Sequence, residues 1–458
     1  MKDAEERRAS RAHLAMSVVV ALVARLAVVA WAGGRFPPVA DGTYYDALAA
    51  RLATGEGYTW AWPDGVVSYA GHYPVGYPAL LAVGYAIFGH KVWAAMAVNA
   101  VVGAAGVAGA HVLLREAATT RGALVGALVL ALHPVLVPYT AALMTEGVTA
   151  SLLLVACACV VVAKRSHKRP RAAWLVAAGV VMGLCTLVRP QSLALAPALG
   201  LLSIRASRAE GAFRKRVTAA VAVVAVAMCV IAPWTLRNCK RMGRCAPVSV
   251  NGGWNLLIGA QSTNGSWAPV RVPDDCKEVW DEAQKDLCFQ AAARREIARD
   301  PVAWLRQVPR KVSVTLDYFG GAPWYLHASS SAAFGDRAKL ALGVVETVVT
   351  RALLVLALYR VGARGGPRPK LARVLRAIGI VAAFTVHGSI AYVALVLLVL
   401  ANGLRAAARD PLVVPFTATL VAATALTHSL FFGGGRYGIV VVPFVAALAF
   451  TTRRAPSS

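Results

Sequence analysis

Apolar runs of about twenty residues recur along this chain, most of them separated by short basic turns. Runs of that length match the ~30 Å hydrocarbon layer of a bilayer, because a helix rises ~1.5 Å per residue. The pattern predicts helices over 14–32, 92–114, 121–139, 146–163, 172–188, 191–204, 216–235, 340–360, 412–430 and 437–452. The stretch 377–404 is too long for one simple span and is broken by His387-Gly388, so it reads as two short helices. Two long connections remain, 33–91 and 236–338. Within the first, Tyr77 to Gly89 is apolar but only ~20 Å long as a helix, so it reads as lying on or dipping into one membrane face.

Charge then orients the pattern. The 458 residues are 58% hydrophobic and carry a formal net charge of +26. The basic residues fall between spans, in 164–171, 205–216 and 360–376, and at Arg405 and Arg409. Such clusters mark the cytoplasmic side and meet anionic lipid there. No nucleic-acid motif or soluble basic domain accompanies them, which excludes a nucleic-acid partner. Placing the clusters inside gives about twelve spans, with both termini cytoplasmic and 33–91 and 236–338 outside. The run 14–32 is longer than a signal-peptide core and lacks a small-residue cleavage site, so it is read as a retained first span.

The expected fold is an all-α polytopic membrane protein in five parts. These are a cytoplasmic N-terminus and first span (1–32), an outer first loop with juxtamembrane helices (33–91), and a run of spans (92–235). A small extracytoplasmic loop domain (236–338) and the C-terminal spans with a cytoplasmic tail (339–458) follow. Cys157, Cys159, Cys185 and Cys229 lie in apolar spans as small packing residues. Cys239, Cys245, Cys276 and Cys288 lie in the long polar segment. In an oxidising compartment the local pairs Cys239–Cys245 and Cys276–Cys288 are one of three pairings; free thiols are the alternative.

This topology brings scarce polar residues to one face. Asp41, Asp46, His72, Glu146, Arg189, Arg237 and Arg436 all fall near outer span ends, while the spans are nearly free of acids. Ionisable residues at membrane level are functional candidates by default. Asp41-Gly42 is also a common turn, and Asp41 precedes a helix start at Tyr44-Tyr45-Asp46 that it is placed to cap. Glu146 needs a partner, either a structural arginine or a ligand. With Asp41 it offers two carboxylates to a divalent cation, although no histidine spacing accompanies them. His72 opens a Pro/Gly elbow, His72-Tyr73-Pro74-Val75-Gly76-Tyr77-Pro78. Arg189, Arg237 and Arg436 each stand beside Pro or Gly. They read either as snorkelling side chains or as a clamp for phosphate oxygens, which guanidinium matches with paired donors. Asn251 and Trp254 form a polar ledge with an aromatic face. Tyr44, Tyr45, Tyr73 and Tyr437 complete the expected substrate contacts. No glycine-rich nucleotide loop, zinc motif or serine-nucleophile elbow is present.

In order, the chain shows Asp41 with Tyr44-Tyr45, Gly55-Glu56-Gly57-Tyr58, Tyr73-Pro74-Val75-Gly76-Tyr77-Pro78, Met144-Thr145-Glu146 and Leu187-Val188-Arg189-Pro190. Pro233-Trp234-Thr235-Leu236-Arg237-Asn238, Asn251-Gly252-Gly253 and Arg436-Tyr437 follow. From residue 14 to about 445 this resembles the polytopic C-type (GT-C fold) glycosyltransferases, in the bacterial branch similar to protein O-mannosyltransferases and the lipid A aminoarabinose transferase. The resemblance implies a sugar donor on polyprenyl phosphate, used on the outer face of the plasma membrane, with a glycan, lipid or protein acceptor. It implies Asp41 as the base or metal-linked acid, Glu146 as the second acid, and His72, Arg189, Arg237 and Arg436 near the donor phosphate. One departure stands out. Protein O-mannosyltransferases carry adjacent acids in the first loop, whereas Gly42 follows Asp41 here.

The expected activity is therefore inverting sugar transfer to an acceptor hydroxyl. A lipid-linked glycan flippase, polymerase or transporter is the alternative. It calls for charges at mid-span along a path, and no internal repeat is evident to support it.

Overall fold

In the computed structural model, residues 2–204, 211–364, 367–403 and 410–452 are described. The basic residues at 205–210, Arg405 and Arg409, and the tail 453–458 lie outside them. The chain is a multi-pass membrane protein built from helices. Those used below are α1 (Lys2–Ala32), α2 (Asp41–Ala53), α3 (Gly76–Phe88), α4 (Val92–Ala117), α5 (Thr120–Ala131), α6 (Thr145–Arg165), α7 (Lys168–Val188), α8 (Ala196–Leu202) and α9 (Ala212–Arg241). Then come α10 (Gly252–Gln261), α11 (Asp274–Lys277), α12 (Glu282–Arg299), α13 (Pro301–Arg306), α14 (Val308–Leu316), α15 (Gly321–Ser329), α16 (Asp336–Gly362), α17 (Pro369–Ala383), α18 (Ser389–Ala401), α19 (Val413–Leu430), α20 (Gly435–Gly438) and α21 (Val442–Ala449).

Seven of these are long and apolar enough to cross a membrane, namely α1, α4, α6, α7, α9, α16 and α19. The other expected spans are shorter or broken. The stretch 377–404 divides into α17 and α18 around His387-Gly388, as its sequence suggests. The stretch 121–139 is not one helix. Pro134 cannot continue α5, and Pro138 opens a separate 3₁₀ turn, Pro138–Ala141. Likewise 191–204 is a 3₁₀ turn, Pro190–Leu195, leading into α8, and 437–452 is split between α20 and α21. The first loop also holds a small antiparallel hairpin, β1 (Thr59–Ala61) and β2 (Val67–Tyr69), with Thr59 facing Tyr69. It turns at Asp64-Gly65, where Gly65 takes φ +84° and Asp64 Oδ1 accepts from the Val66 N–H at 3.0 Å.

The helices pack through small residues. A Cβ at Gly183 of α7 would stand 2.5 Å from Val230 Cβ on α9, and one at Gly109 of α4 would meet the Leu154 backbone of α6 at 2.8 Å. Lipid gives helices no hydrophobic drive to associate, so such close approach supplies the packing contacts.

Two arginines serve the backbone. Arg25, 3% exposed within α1, donates from Nη1 to the Ala131 carbonyl at 3.0 Å, where α5 stops. Arg237 donates to the Ala70 and Tyr58 carbonyls at 2.7 and 2.9 Å and so ties the hairpin to α9. At the same end, α12 points two acids one turn apart at the first loop and at α10. Glu282 accepts from Trp60 Nε1 and the Gly71 and His72 N–H groups at 2.6, 2.6 and 2.8 Å. Asp286 accepts from Arg244 at 2.8 Å and from the Gly253 and Trp254 N–H groups at 2.7 and 3.1 Å.

The spans are not wholly free of acids. Glu346 lies inside α16 at 1% exposure, with no ion-pair partner among the described residues. Both local disulfides, Cys239–Cys245 and Cys276–Cys288, are formed. Alkylation of the unreduced protein, read by peptide mass mapping, should leave these four cysteines unmodified until a reductant is added. Modification of any of the four before reduction would contradict the pairing.

Candidate active site

The site gathers at the end of the bundle that carries the first loop, and it begins with a strained residue. Ala40 has φ +51° and is the only non-glycine at positive φ among the described residues. With the Gly42 N–H donating to the Val39 carbonyl at 3.0 Å, it takes a turn position that normally favours glycine. Strain of this kind costs of order 1–3 kcal/mol and persists where the surroundings over-determine it. The turn makes Asp41 the first residue of α2. The cap position belongs to Ala40 and no side chain caps the helix, so the expectation that Asp41 caps is not met. The Asp41 carboxylate reaches across the bundle instead. Its Oδ2 lies 2.5 Å from Arg436 Nη2, and its Oδ1 lies 3.5 Å from the Tyr73 hydroxyl. Burial, with Asp41 adding to it, holds the Tyr73 phenol well above its usual pKa, so it stays a donor.

Glu146 opens α6 and is 2% exposed. Its Oε1 lies 2.8 Å from Arg189 Nη1 and 3.7 Å from Arg436 Nε, and its Oε2 accepts from the Tyr139 hydroxyl at 2.7 Å. The broken helix explains Tyr139. Asn99 Nδ2 donates to the Thr140 and Ala142 carbonyls at 3.2 and 3.0 Å, and Tyr77 donates to Asn99 Oδ1 at 3.1 Å. These bonds satisfy the carbonyls that the break exposes and fix the turn from which Tyr139 reaches Glu146. Gln191, with its amide oxygen turned to Arg189, accepts from Nη2 and Nε at 3.1 and 3.0 Å. Tyr437 completes the cluster. The Arg189 and Arg436 guanidinium carbons lie 5.2 and 5.0 Å from its ring centroid, and His428 stacks on it at 4.5 Å with 9° between planes.

The structure thus brings together Asp41, Glu146, Arg189, Arg436, Tyr73 and Tyr437. Tyr44 stands beside them, 48% exposed and stacked on Tyr73 at 5.1 Å, with Trp60 edge-on at 5.9 Å. Tyr45 is buried and forms the wall beneath, edge-on to Tyr73 and Tyr77. Four other candidates lie apart from the ion pairs. Arg237 is committed to the carbonyls described above. His72 is wedged between Tyr73 and Trp254 at 4.9 and 5.4 Å. Burial lowers its pKa against the pull of Glu282, Asp286 and Asp41, so it is a weak partner for an anion. Trp254 also packs on Phe289 at 4.9 Å, and Asn251 Oδ1 accepts from Ser249 at 2.9 Å.

Tyr139, Gln191, Trp60 and His428 escape the sequence reading. The same rule that singles out Asp41 applies to His428, an ionisable residue in the last turn of an apolar span. Pro134 and Pro138 were the signal for Tyr139.

Beside Arg189 and Tyr437 lies a narrow cavity. Arg189, Gln191, Thr427, His428 and Tyr437 line its polar end. Leu153 and Leu420 lie about two helical turns, ~12 Å, deeper along α6 and α19. The chamber is graded from charged to apolar.

A metal at Asp41 and Glu146 meets a specific obstacle. Arg436 bridges the two carboxylates, and among the described residues no third His, Cys, Asp or Glu joins them. The one such group is Asp275, Cys276 and Cys288, which contains a disulfide. A cation shared by both acids would have to displace a guanidinium, so the pair as arranged does not fit one.

Residues 72–236, about a third of the chain, match the family model described as dolichyl-phosphate-mannose-protein mannosyltransferase. This match supports a membrane glycosyltransferase of the C type. No curated protein sequence matches the chain. Among solved structures, similarity extends to the oligosaccharyltransferase AglB of Archaeoglobus fulgidus, solved with an inhibitory peptide and a dolichol-phosphate. There the identity is 14% over 96% of this chain and 50% of that one, with TM-score 0.47. A second structure of the Archaeoglobus fulgidus enzyme, in complex with Zn and sulfate, has 15% identity over 97% and 54% of the two chains, with TM-score 0.45. ArnT from Cupriavidus metallidurans bound to undecaprenyl phosphate has 16% identity over 96% and 76%, with TM-score 0.39. The chain spans about half the length of the oligosaccharyltransferase.

Burial orders the acids energetically. Removing one partner of a buried pair costs about 3–5 kcal/mol, whereas an exposed pair contributes about 1 kcal/mol or less. Glu146→Gln should therefore lower the thermal midpoint in detergent clearly more than Asp41→Asn. Gly42→Asp, which restores adjacent acids, should also destabilise, because its Cβ would stand 2.9 Å from the Tyr325 hydroxyl and 3.1 Å from the Leu143 carbonyl. Equal midpoints for the three variants would contradict the packing described.

Proposed function

We propose that the protein transfers a sugar from a polyprenyl-phosphate donor to an acceptor hydroxyl. One observation carries the reading: ion pairs join Asp41, Glu146, Arg189 and Arg436, and Arg189 also lines a cavity that grades from charged to apolar. That gradient suits an amphiphile whose phosphate stays with the arginines while its chain follows the leucines. A transporter would need charges along a path. Arg25 and Glu346 are single, on helices far apart in the chain, and Arg25 is engaged with backbone carbonyls.

In the transfer, the acceptor oxygen attacks the sugar's anomeric carbon from the face opposite the phosphate. Its proton passes to the Asp41 carboxylate. The bond from the anomeric carbon to the phosphate oxygen breaks, and the electron pair leaves with the polyprenyl phosphate. One displacement inverts the anomeric centre. Arg189 and Arg436 face the charge that develops on the phosphate, and preorganised donors of this kind contribute at least as much as a base. Asp41 and the phosphate compete for Arg436, so a bound donor draws Arg436 away and leaves Asp41 free to accept the proton. The Tyr73 hydroxyl steadies Asp41, and the exposed Tyr44–Tyr73 stack with Trp60 forms a ledge for the acceptor. No step is routed through a metal.

The two disulfides support an oxidising side for 236–338, and with it the outer face of the plasma membrane for the site. The bundle then runs as the basic clusters suggest, with the basic turns and both termini in the cytoplasm. Gly42, packed against Tyr325 and Leu143, leaves no room for the second acid of the protein O-mannosyltransferases. The acceptor therefore need not be a protein.

Purified protein in liposomes, given a panel of polyprenyl-phosphate sugars, should release polyprenyl phosphate with one of them. Asp41→Asn should insert and fold normally yet transfer about 10²–10⁴ times more slowly. Transfer at the wild-type rate in this variant would exclude Asp41 as the base.

A further inference from the structure

His428 has no part in the reading above, yet it faces the same cavity. It lies in the last turn of α19 and is 7% exposed. Its Nδ1 is 2.8 Å from the Phe432 carbonyl oxygen. A carbonyl only accepts, so Nδ1 carries the proton and Nε2 of the neutral ring keeps a lone pair. The stack on Tyr437 fixes the plane of the ring, and the Phe432 bond fixes its rotation. Nε2 has no hydrogen-bond partner among the described residues, and it is not sealed away from open space.

Its neighbours make this lone pair distinctive. Arg189 offers only donors. The Gln191 oxygen is turned to Arg189, and the Tyr437 hydroxyl accepts from Arg436 at 3.2 Å. The polar end of the cavity therefore holds the Arg189 guanidinium, the freely rotating Thr427 hydroxyl and, at His428 Nε2, an acceptor whose direction is fixed. A phosphate satisfies the guanidinium but, as a diester, has no proton to give Nε2. The geometry points to His428 as a specificity-determining residue whose Nε2 accepts a hydrogen bond from an O–H on the head of the lipid-phosphate substrate. Two groups can supply that O–H. One is a hydroxyl of the sugar in the donor. The other is the P–OH of the phosphomonoester that remains after transfer. This assignment rests on the proposed function.

Two substitutions separate the two ring nitrogens. His428→Asn places an amide N–H near Nδ1, keeps the Phe432 bond and removes the acceptor in the cavity. His428→Gln places an amide oxygen near Nε2. His428→Asn should raise KM for the lipid-linked donor about 10-fold, as loss of one hydrogen bond does. It should leave kcat, membrane insertion and the thermal midpoint close to wild type, and His428→Gln should recover most of the KM. Product inhibition by polyprenyl phosphate, measured on the same variants, identifies the source of the proton. A raised KM with an unchanged inhibition constant assigns it to a sugar hydroxyl, and a raised inhibition constant with an unchanged KM assigns it to the phosphate. If the wild type is active and His428→Asn changes neither KM nor the inhibition constant, the assignment is overturned. A wild type that transfers no sugar overturns the proposed function, and this assignment with it.

Discussion

Arg436 holds two carboxylates from widely separated parts of the chain. Asp41 lies in the first loop and Glu146 at the head of α6, and the guanidinium near the C-terminus reaches both, at 2.5 and 3.7 Å. Arg189 closes the group on Glu146. Two acids and two bases cancel, which is how four charges persist in a largely buried cluster where a lone charge costs several kcal/mol. The surrounding structure serves this cluster. The turn at Ala40 aims Asp41, the broken α5 supplies Tyr139, and the Gly433-Gly434-Gly435 run lets α20 pack against the Tyr318 and Phe319 carbonyls.

The cluster is neutral in itself, and that shapes the mechanism. In the proposed transfer, a phosphate arriving at Arg189 and Arg436 would find their donors already engaged. Its binding would be an exchange of partners, in which the acid that loses its guanidinium gains basicity. Glu146 is almost fully buried and doubly paired, so it stays the anchor. Asp41 is part-exposed beside the Tyr44–Tyr73 ledge, so it is the partner able to let go.

How much of this was legible beforehand depends on what made each residue visible. Asp41, Glu146, Arg189 and Arg436 stand out because ionisable groups are rare in an apolar chain, and the rule that flags them is thermodynamic. Arg237 met the same rule and had another use, since its partners are carbonyls of a hairpin nearly 180 residues away. No local pattern announces that. His72 is expected near the donor phosphate, but Trp254 packs on its ring and Glu282, from the same separate segment, holds its N–H. The run 121–139 looked like one span because hydropathy outweighed its two prolines, and that choice hid Tyr139. The long spans were readable from composition alone. The short helices were not, because their ends are satisfied by side chains such as Asn99 and Arg25 from other helices.

Retention of polyprenyl phosphate by the purified protein, followed by native mass spectrometry, tests the central claim most directly. The wild type should hold one lipid phosphate. Arg189→Gln should lose it at the same lipid concentration, and Arg237→Gln, if it folds, should keep it. Retention by Arg189→Gln equal to the wild type, or no retention by the wild type at all, would contradict the account.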